Sequence, residues 1–221
     1  MNLARGLEKR LENLVDGASA AVFRGRMHPV DIASKVVRQL DFLATDTPAG
    51  PQVPNRLHVM LNPADLDPTA DHARLVAELE DVLVTTAYAT GWRIVGPPAV
   101  DLTVDPTIPK GVLSCSGEAV RGRLPTWAQL IADDGSVALS ISVNRTLIGR
   151  DLDCDIRLVN PEISRHHAVV YTQGGTPRMF DLGSSNGTYI NRSRLTRSAH
   201  TLQPGDSVVL GDLPFTFRPV T

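Results

Sequence analysis

From Pro125 onward the chain consists of short apolar runs broken by turn residues, with no helical spacing anywhere. The runs fall near 127–132, 137–142, 146–148, 156–158, 168–172, 178–182, 188–190, 201–202, 207–210 and 214–218. Asp134-Gly135, Gly174-Gly175, Pro204-Gly205-Asp206 and Gly211-Asp212 punctuate them, and such pairs supply the backbone conformations that tight turns need. Strands this short cannot bury a face alone. Many of them at close spacing predict two sheets packed face to face, or a closed barrel.

The first half reads differently. Leu3, Leu7, Leu11, Leu14, Ala18 and Val22 recur at steps of three and four, which predicts an amphipathic helix over 3–23. Its polar face mixes Glu8, Lys9, Arg10 and Glu12, unlike the strongly basic face of a membrane-surface helix. Pro29 suits the first turn of a second helix, with Ile32, Val36, Val37, Leu40 and Leu43 on its buried side. Pro48, Gly50, Pro51 and Pro54 mark 45–54 as a loop. Within it Thr45-Asp46-Thr47-Pro48 reads as an exposed segment and a candidate kinase target. A strand over 56–61, a helix over 73–89 ended by Gly91, and strands near 92–95, 100–104 and 112–120 complete the pattern. The expected fold is two domains: a small α+β domain over 1–122, then an all-β sandwich over 126–221.

Charge narrows the function classes. Lys and Arg number 22 against 24 Asp and Glu, a formal charge of -2 in 221 residues. Residues 1–124 carry 13 basic and 15 acidic side chains, so a nucleic-acid-binding N-terminal domain, the main alternative, lacks a basic footprint. No apolar run approaches the ~20 residues that cross a bilayer, and no secretory leader is evident. Cys115 and Cys154 have no metal-like spacing. The expectation is a cytoplasmic protein with reduced thiols, recruited to membranes only by its partners.

Side chains able to hold a phosphate cluster between 149 and 191. Arg150 offers a planar guanidinium that matches phosphate oxygens. Gly149 before it lets the strand turn sharply. Ser164 offers a hydroxyl, Arg165 a second cation, and Ser185 and Asn186 a hydroxyl and an amide with both donor and acceptor. His166-His167 could suggest a metal, but neighbours on a strand face opposite ways and no third ligand is evident. Ser164, His167 and Asp181 could imitate a hydrolase relay, yet nothing resembles a nucleophile elbow. No catalytic residue, metal ligand or cofactor is expected.

Gly149-Arg150, Ser164-Arg165-His166-His167 and Ser185-Asn186-Gly187-Thr188 with Asn191 resemble, in order and separation, the forkhead-associated (FHA) domain. The resemblance spans about residues 126–221 and implies a β-sandwich that binds phosphothreonine peptides. It implies that Arg150 and Ser164 contact the phosphate, with Arg165 contributing. Ser185 and Asn186 would line the peptide site. His167 would support the loop from within, Gly187 would permit the turn, and Asn191 would fix the loops. GLEKRLENLV at 6–15, AAVFRG at 20–25 and HPVDIA at 28–33 resemble the N-terminal domain of actinobacterial FhaA-type proteins. The long Pro/Gly/Tyr-rich linker usual in that family is absent. This second resemblance implies a phosphothreonine-dependent adaptor in Ser/Thr kinase signalling, linked to cell-wall synthesis or division. Its implied partners are an autophosphorylated kinase or a phosphorylated cell-wall membrane protein, with no nucleic acid. A phospho-independent scaffold is the other alternative.

Overall fold

A computed structural model describes residues 27–66, 71–196 and 198–220. The helix expected over 3–23, with the motifs at 6–15 and 20–25, lies outside them. The described residues divide into two compact units, one drawn from 27–45 with 52–121, the other from 46–51 with 122–220.

The first unit is α+β. Helix α1 (Pro29–Leu43) starts on Pro29, whose missing N–H costs nothing in a first turn. Ile32, Ala33, Val36, Val37 and Leu40 form its buried stripe. Strand β1 (Arg56–Leu61) buries Leu57, Val59 and Leu61 on one face. Helix α2 (His72–Thr90) is capped by the Asp71 carboxylate, which accepts from the Arg74 N–H, and ends at Gly91. Strands β2 (Ala99–Val104) and β3 (Leu113–Glu118) flank β1, parallel and antiparallel respectively. The parallel β1–β2 pair requires a crossover, and α2 supplies it. One core joins both helices to the inner face of β1. At the strand ends, Asn55 donates to the Pro97 carbonyl and accepts from the Val120 N–H.

One expectation needs correction here. Residues 92–95 are not a strand. Arg93 alone makes an isolated parallel bridge to Gln52, while Trp92, Ile94 and Val95 are buried. The run is short, and Pro97 and Pro98 behind it have no N–H to extend a ladder. The 45–54 segment is a loop, as expected, with Thr45, Asp46 and Pro48 exposed, and one isolated bridge closes it. Thr45 and Gln52 exchange both backbone hydrogen bonds, and the Thr47 hydroxyl donates to the Gly50 carbonyl at 2.6 Å. The kinase target expected at Thr45 and Thr47 therefore sits in closed, hydrogen-bonded backbone.

The second unit is a sandwich of two mainly antiparallel sheets. Six strands form one sheet: β4 (Ala128–Ala132), β5 (Ala138–Ile141), β10 (Thr188–Ile190), β11 (Ser193–Arg194), β13 (Ser207–Leu210) and β14 (Leu213–Pro219), in the order β11-β10-β13-β14-β4-β5. The other has the order β12-β9-β8-β6-β7, from β6 (Arg145–Gly149), β7 (Ile156–Arg157), β8 (Ala168–Gln173), β9 (Thr176–Asp181) and β12 (His200–Thr201). Leu130, Ile190, Val208 and Phe217 from the first meet Ile148, Val170 and Met179 from the second in one core. The outer face of the five-stranded sheet is also covered. Leu147, Val169 and Tyr171 pack with Ala49 and Cys154. Arg145 donates to the Ala49 carbonyl and lies 4.6 Å from the Tyr171 ring centroid. Strand β11 escapes the sequence pattern because both its residues are polar and exposed.

Leu40 is fully buried and Phe42 is 83% exposed two residues on. Leu40→Ala is expected to destabilise the first unit by about 3 kcal/mol, and Phe42→Ala by less than about 0.5 kcal/mol. Denaturant titration followed at Trp92 in a Trp127→Phe background checks both. Equal losses would mean that α1 buries a different face.

Candidate functional site

Three turns of the sandwich converge. The first follows β6, the second precedes β8, and the third joins β9 to β10. The first two are laced by backbone bonds. The Arg150 N–H donates to the Ser164 carbonyl at 3.0 Å and the Asp151 N–H to the Arg165 carbonyl at 3.1 Å. Gly149 makes this possible, though not by turning sharply as expected. A Cβ there would lie 2.0 Å from the Arg165 carbonyl oxygen, so close approach excludes a side chain.

The second and third turns join through the Ser164 hydroxyl, which accepts from the Ser185 N–H at 3.1 Å. His167 joins them again from below. It is fully buried. Its Nδ1 accepts from the Ser164 N–H and its Nε2 lies 3.1 Å from the Gly187 carbonyl. Nδ1 therefore carries a lone pair and Nε2 the proton. Burial pushes the imidazole below its ordinary 6.5, against weaker upward pulls from the Gly187 bond and Asp181. With both nitrogens engaged by backbone, the ring cannot activate the Ser164 hydroxyl, and the hydrolase relay is excluded by geometry.

Asp181 has another role that the sequence did not disclose. One of its oxygens accepts from the Gly183 and Ser184 N–H groups, the other from the Ser184 and Thr188 hydroxyls. Burial pushes the carboxyl up, but these four hydrogen bonds outweigh it and hold the group below its ordinary 3.8. Asp181 thus sets the backbone of the third turn. Gly187 closes that turn at a φ of +82°, and a Cβ there would meet the Arg194 side chain at 2.7 Å. Asn191, at a φ of +49°, bonds Asp206 and the Ser207 N–H, pinning the next turn to 203–207.

Arg150, Arg165, Ser185 and Asn186 are exposed around Ser164, which is half-buried. Neither arginine side chain has a partner among the described residues. The geometry brings Arg150, Ser164, Arg165, Ser185 and Asn186 onto adjoining turns, with Gly149, His167 and Gly187 at their junctions and Asn191 on the turn beyond. Asn186 differs from expectation in one respect. Its amide N–H groups donate to the Glu162 carbonyl and carboxylate at 3.0 and 2.7 Å, so its Oδ1 is the atom left to accept from a peptide.

The matching family models fall on the two halves. The FhaA N-terminal domain model matches residues 5–116 and the FHA domain model matches 146–211. The chain belongs to the FhaA family. Among curated relatives, this FhaA-family chain is 45% identical over 73 residues to the transcriptional regulatory protein EmbR of Mycobacterium tuberculosis. That match covers 33% of the chain and 19% of EmbR. It is 39% identical over 72 residues to the glycogen accumulation regulator GarA of Mycolicibacterium smegmatis, covering 33% of the chain and 44% of GarA. The chain thus spans less than half of either relative. Among solved structures, the FhaA FHA domain complexed with the intracellular domain of Rv3910 is 30% identical, with a TM-score of 0.38, over 41% of this chain and 99% of that one. Among the described residues of the FhaA-family chain, no helix is long and apolar enough to cross a membrane.

Because the native His167 pKa lies below 6.5, the unfolded chain takes up the proton first as pH falls. The stability held by the neutral ring is complete above 6.5 and is lost as pH drops from there towards the native value. Asp181 acts in the same direction lower down, below 3.8. Nitrogen-15 imidazole spectra should show His167 as the neutral Nε2–H tautomer at 6.5. A melting temperature that rises on acidification through 6.5, or a doubly protonated ring there, would overturn the assignment.

Proposed function

We propose that the chain is a non-catalytic reader of phosphothreonine in Ser/Thr kinase signalling. The carrying observation is that two exposed guanidiniums, Arg150 and Arg165, flank the Ser164 hydroxyl on turns laced together by backbone bonds. A phosphate brings about -1.5 to -2 charge and three acceptor oxygens. Cations beside a fixed hydroxyl answer that need, and the rigid turns lower the ordering cost of binding. The Asn186 Oδ1, aimed by Glu162, adds an acceptor for a peptide N–H. The match to the FHA domain model supports the reading. The partner is a phosphothreonine-bearing protein: a Ser/Thr kinase, or the phosphorylated cytoplasmic part of a cell-wall membrane protein. The output is control of cell-wall synthesis or division. The chain acts in the cytoplasm and reaches the membrane through its partner. Binding that survives phosphatase treatment would favour a phospho-independent scaffold instead.

Arg150→Ala should lower phosphothreonine-peptide affinity by roughly tenfold to a hundredfold, the worth of a charge-assisted hydrogen bond. Its melting temperature should stay unchanged, since the side chain is exposed. Arg150→Lys should recover little, because an ammonium cannot form the planar fork. Calorimetry on the three proteins decides, and wild-type affinity in Arg150→Ala removes the assignment.

Phosphothreonine and phosphoserine present the same phosphate and differ by one methyl group. Burying that methyl is worth about 0.8 kcal/mol, or roughly fourfold in affinity, and β-branching restricts the side chain in advance. Phosphothreonine should therefore bind at least that much tighter in an otherwise identical peptide, and a glutamate peptide should fail. Equal affinities would mean that the site reads phosphate without reading its carrier.

A further inference from the structure

His167 is buried and its neighbour His166 is half-exposed, but the outward ring is not alone. The turn after β6 brings Asp153 and Cys154 to it. One donor atom from each of Asp153, Cys154 and His166 lies within 4.8 Å of the others. His166 Nε2 is 3.0 Å from both Asp153 oxygens, and Cys154 Sγ is 3.9 Å from Asp153 Oδ1. A tetrahedral zinc with bonds of about 2.0–2.3 Å sets its ligand atoms roughly 3.3–3.8 Å apart, so small side-chain shifts suffice.

We propose that Asp153, Cys154 and His166 form a binding site for one thiophilic divalent cation of the Zn²⁺ class. One sulfur, one imidazole nitrogen and one carboxylate select such an ion over Mg²⁺ or Ca²⁺, which take oxygen ligands. Water fills the fourth position, since the Asp153 and His166 side chains are 57% and 32% exposed. The Cys154 S–H points to the Arg165 carbonyl at 3.2 Å. Asp151, Asp153 and Asp155 crowd the same turn, and their negative charge favours a dication. On binding, the S–H proton leaves to solvent and a metal–sulfur bond forms, with no change of oxidation state. His166 ligates through Nε2 with its proton on Nδ1. The ion then clips the 151–154 turn to 164–166, the two segments that flank Arg150 and Ser164. The site stands whether or not phosphothreonine is the ligand beside it.

The test uses the full chain, free of tags, reduced and stripped with chelator, and titrated with Co²⁺ as the probe. A stoichiometric thiolate-to-cobalt charge-transfer absorption is expected, reversed by equimolar Zn²⁺. Cys154→Ser should abolish the absorption, and Cys115→Ser should leave it intact. Asp153→Asn and His166→Ala, at positions outside the core, should each weaken binding about tenfold or more. No charge transfer, or one that Cys154→Ser keeps and Cys115→Ser loses, overturns the proposal. So does unchanged affinity in both Asp153→Asn and His166→Ala.

Discussion

The His167 imidazole holds the second and third turns of the sandwich in register. It stands fully buried between the Ser164 N–H and the Gly187 carbonyl, two groups more than twenty residues apart in the chain. Only a neutral ring can accept at one nitrogen and donate at the other. A protonated ring would turn Nδ1 into a donor facing another donor. The lowered pKa is thus part of the architecture, since burial supplies the desolvation that keeps the ring neutral.

Beside that ring a second buried group, the Asp181 carboxylate, also fixes backbone. Asp181 accepts four hydrogen bonds, two from N–H groups and two from hydroxyls, three within the turn that it begins and one from Thr188 at the start of β10. Leaving such a carboxylate unsatisfied would carry a heavy desolvation cost. The turn therefore has one low-energy shape. Exposed residues do the opposite work. Arg150 and Arg165 are exposed cations on a hydrogen-bonded base, and their backbones, rather than their side chains, are tied to Ser164 and Asp151.

The first unit shows how a small α+β layer is closed. Parallel pairing of β1 with β2 demands a crossover, and α2 meets it while sharing the core with α1. Asn55 fastens both flanking strands at one end of the sheet through the Pro97 carbonyl and the Val120 N–H. Local apolar content did not decide the status of 92–95. Its residues are buried, yet they form no ladder, because prolines follow and only Arg93 finds a bridge.

The sequence by itself determined the elements whose signal is local. The stripe Ile32–Val36–Leu40, the alternation Leu57–Val59–Leu61 and the Gly91 stop all read directly, because burial of one face imposes a period on the chain. The succession of short strands after Pro125 did the same for the sandwich, and three separated motifs picked out Arg150, Ser164 and Arg165, which the fold brings onto adjoining turns. Tertiary structure alone decided what depends on distant partners. The four bonds of Asp181, the turning of Asn186 onto Glu162, the burial of Ala49 beside Leu147 and Tyr171, and the meeting of Cys154 with His166 leave no periodic trace. A single side chain satisfied by backbone many residues away obeys hydrogen-bond geometry rather than spacing, and that geometry exists only once the strands have paired.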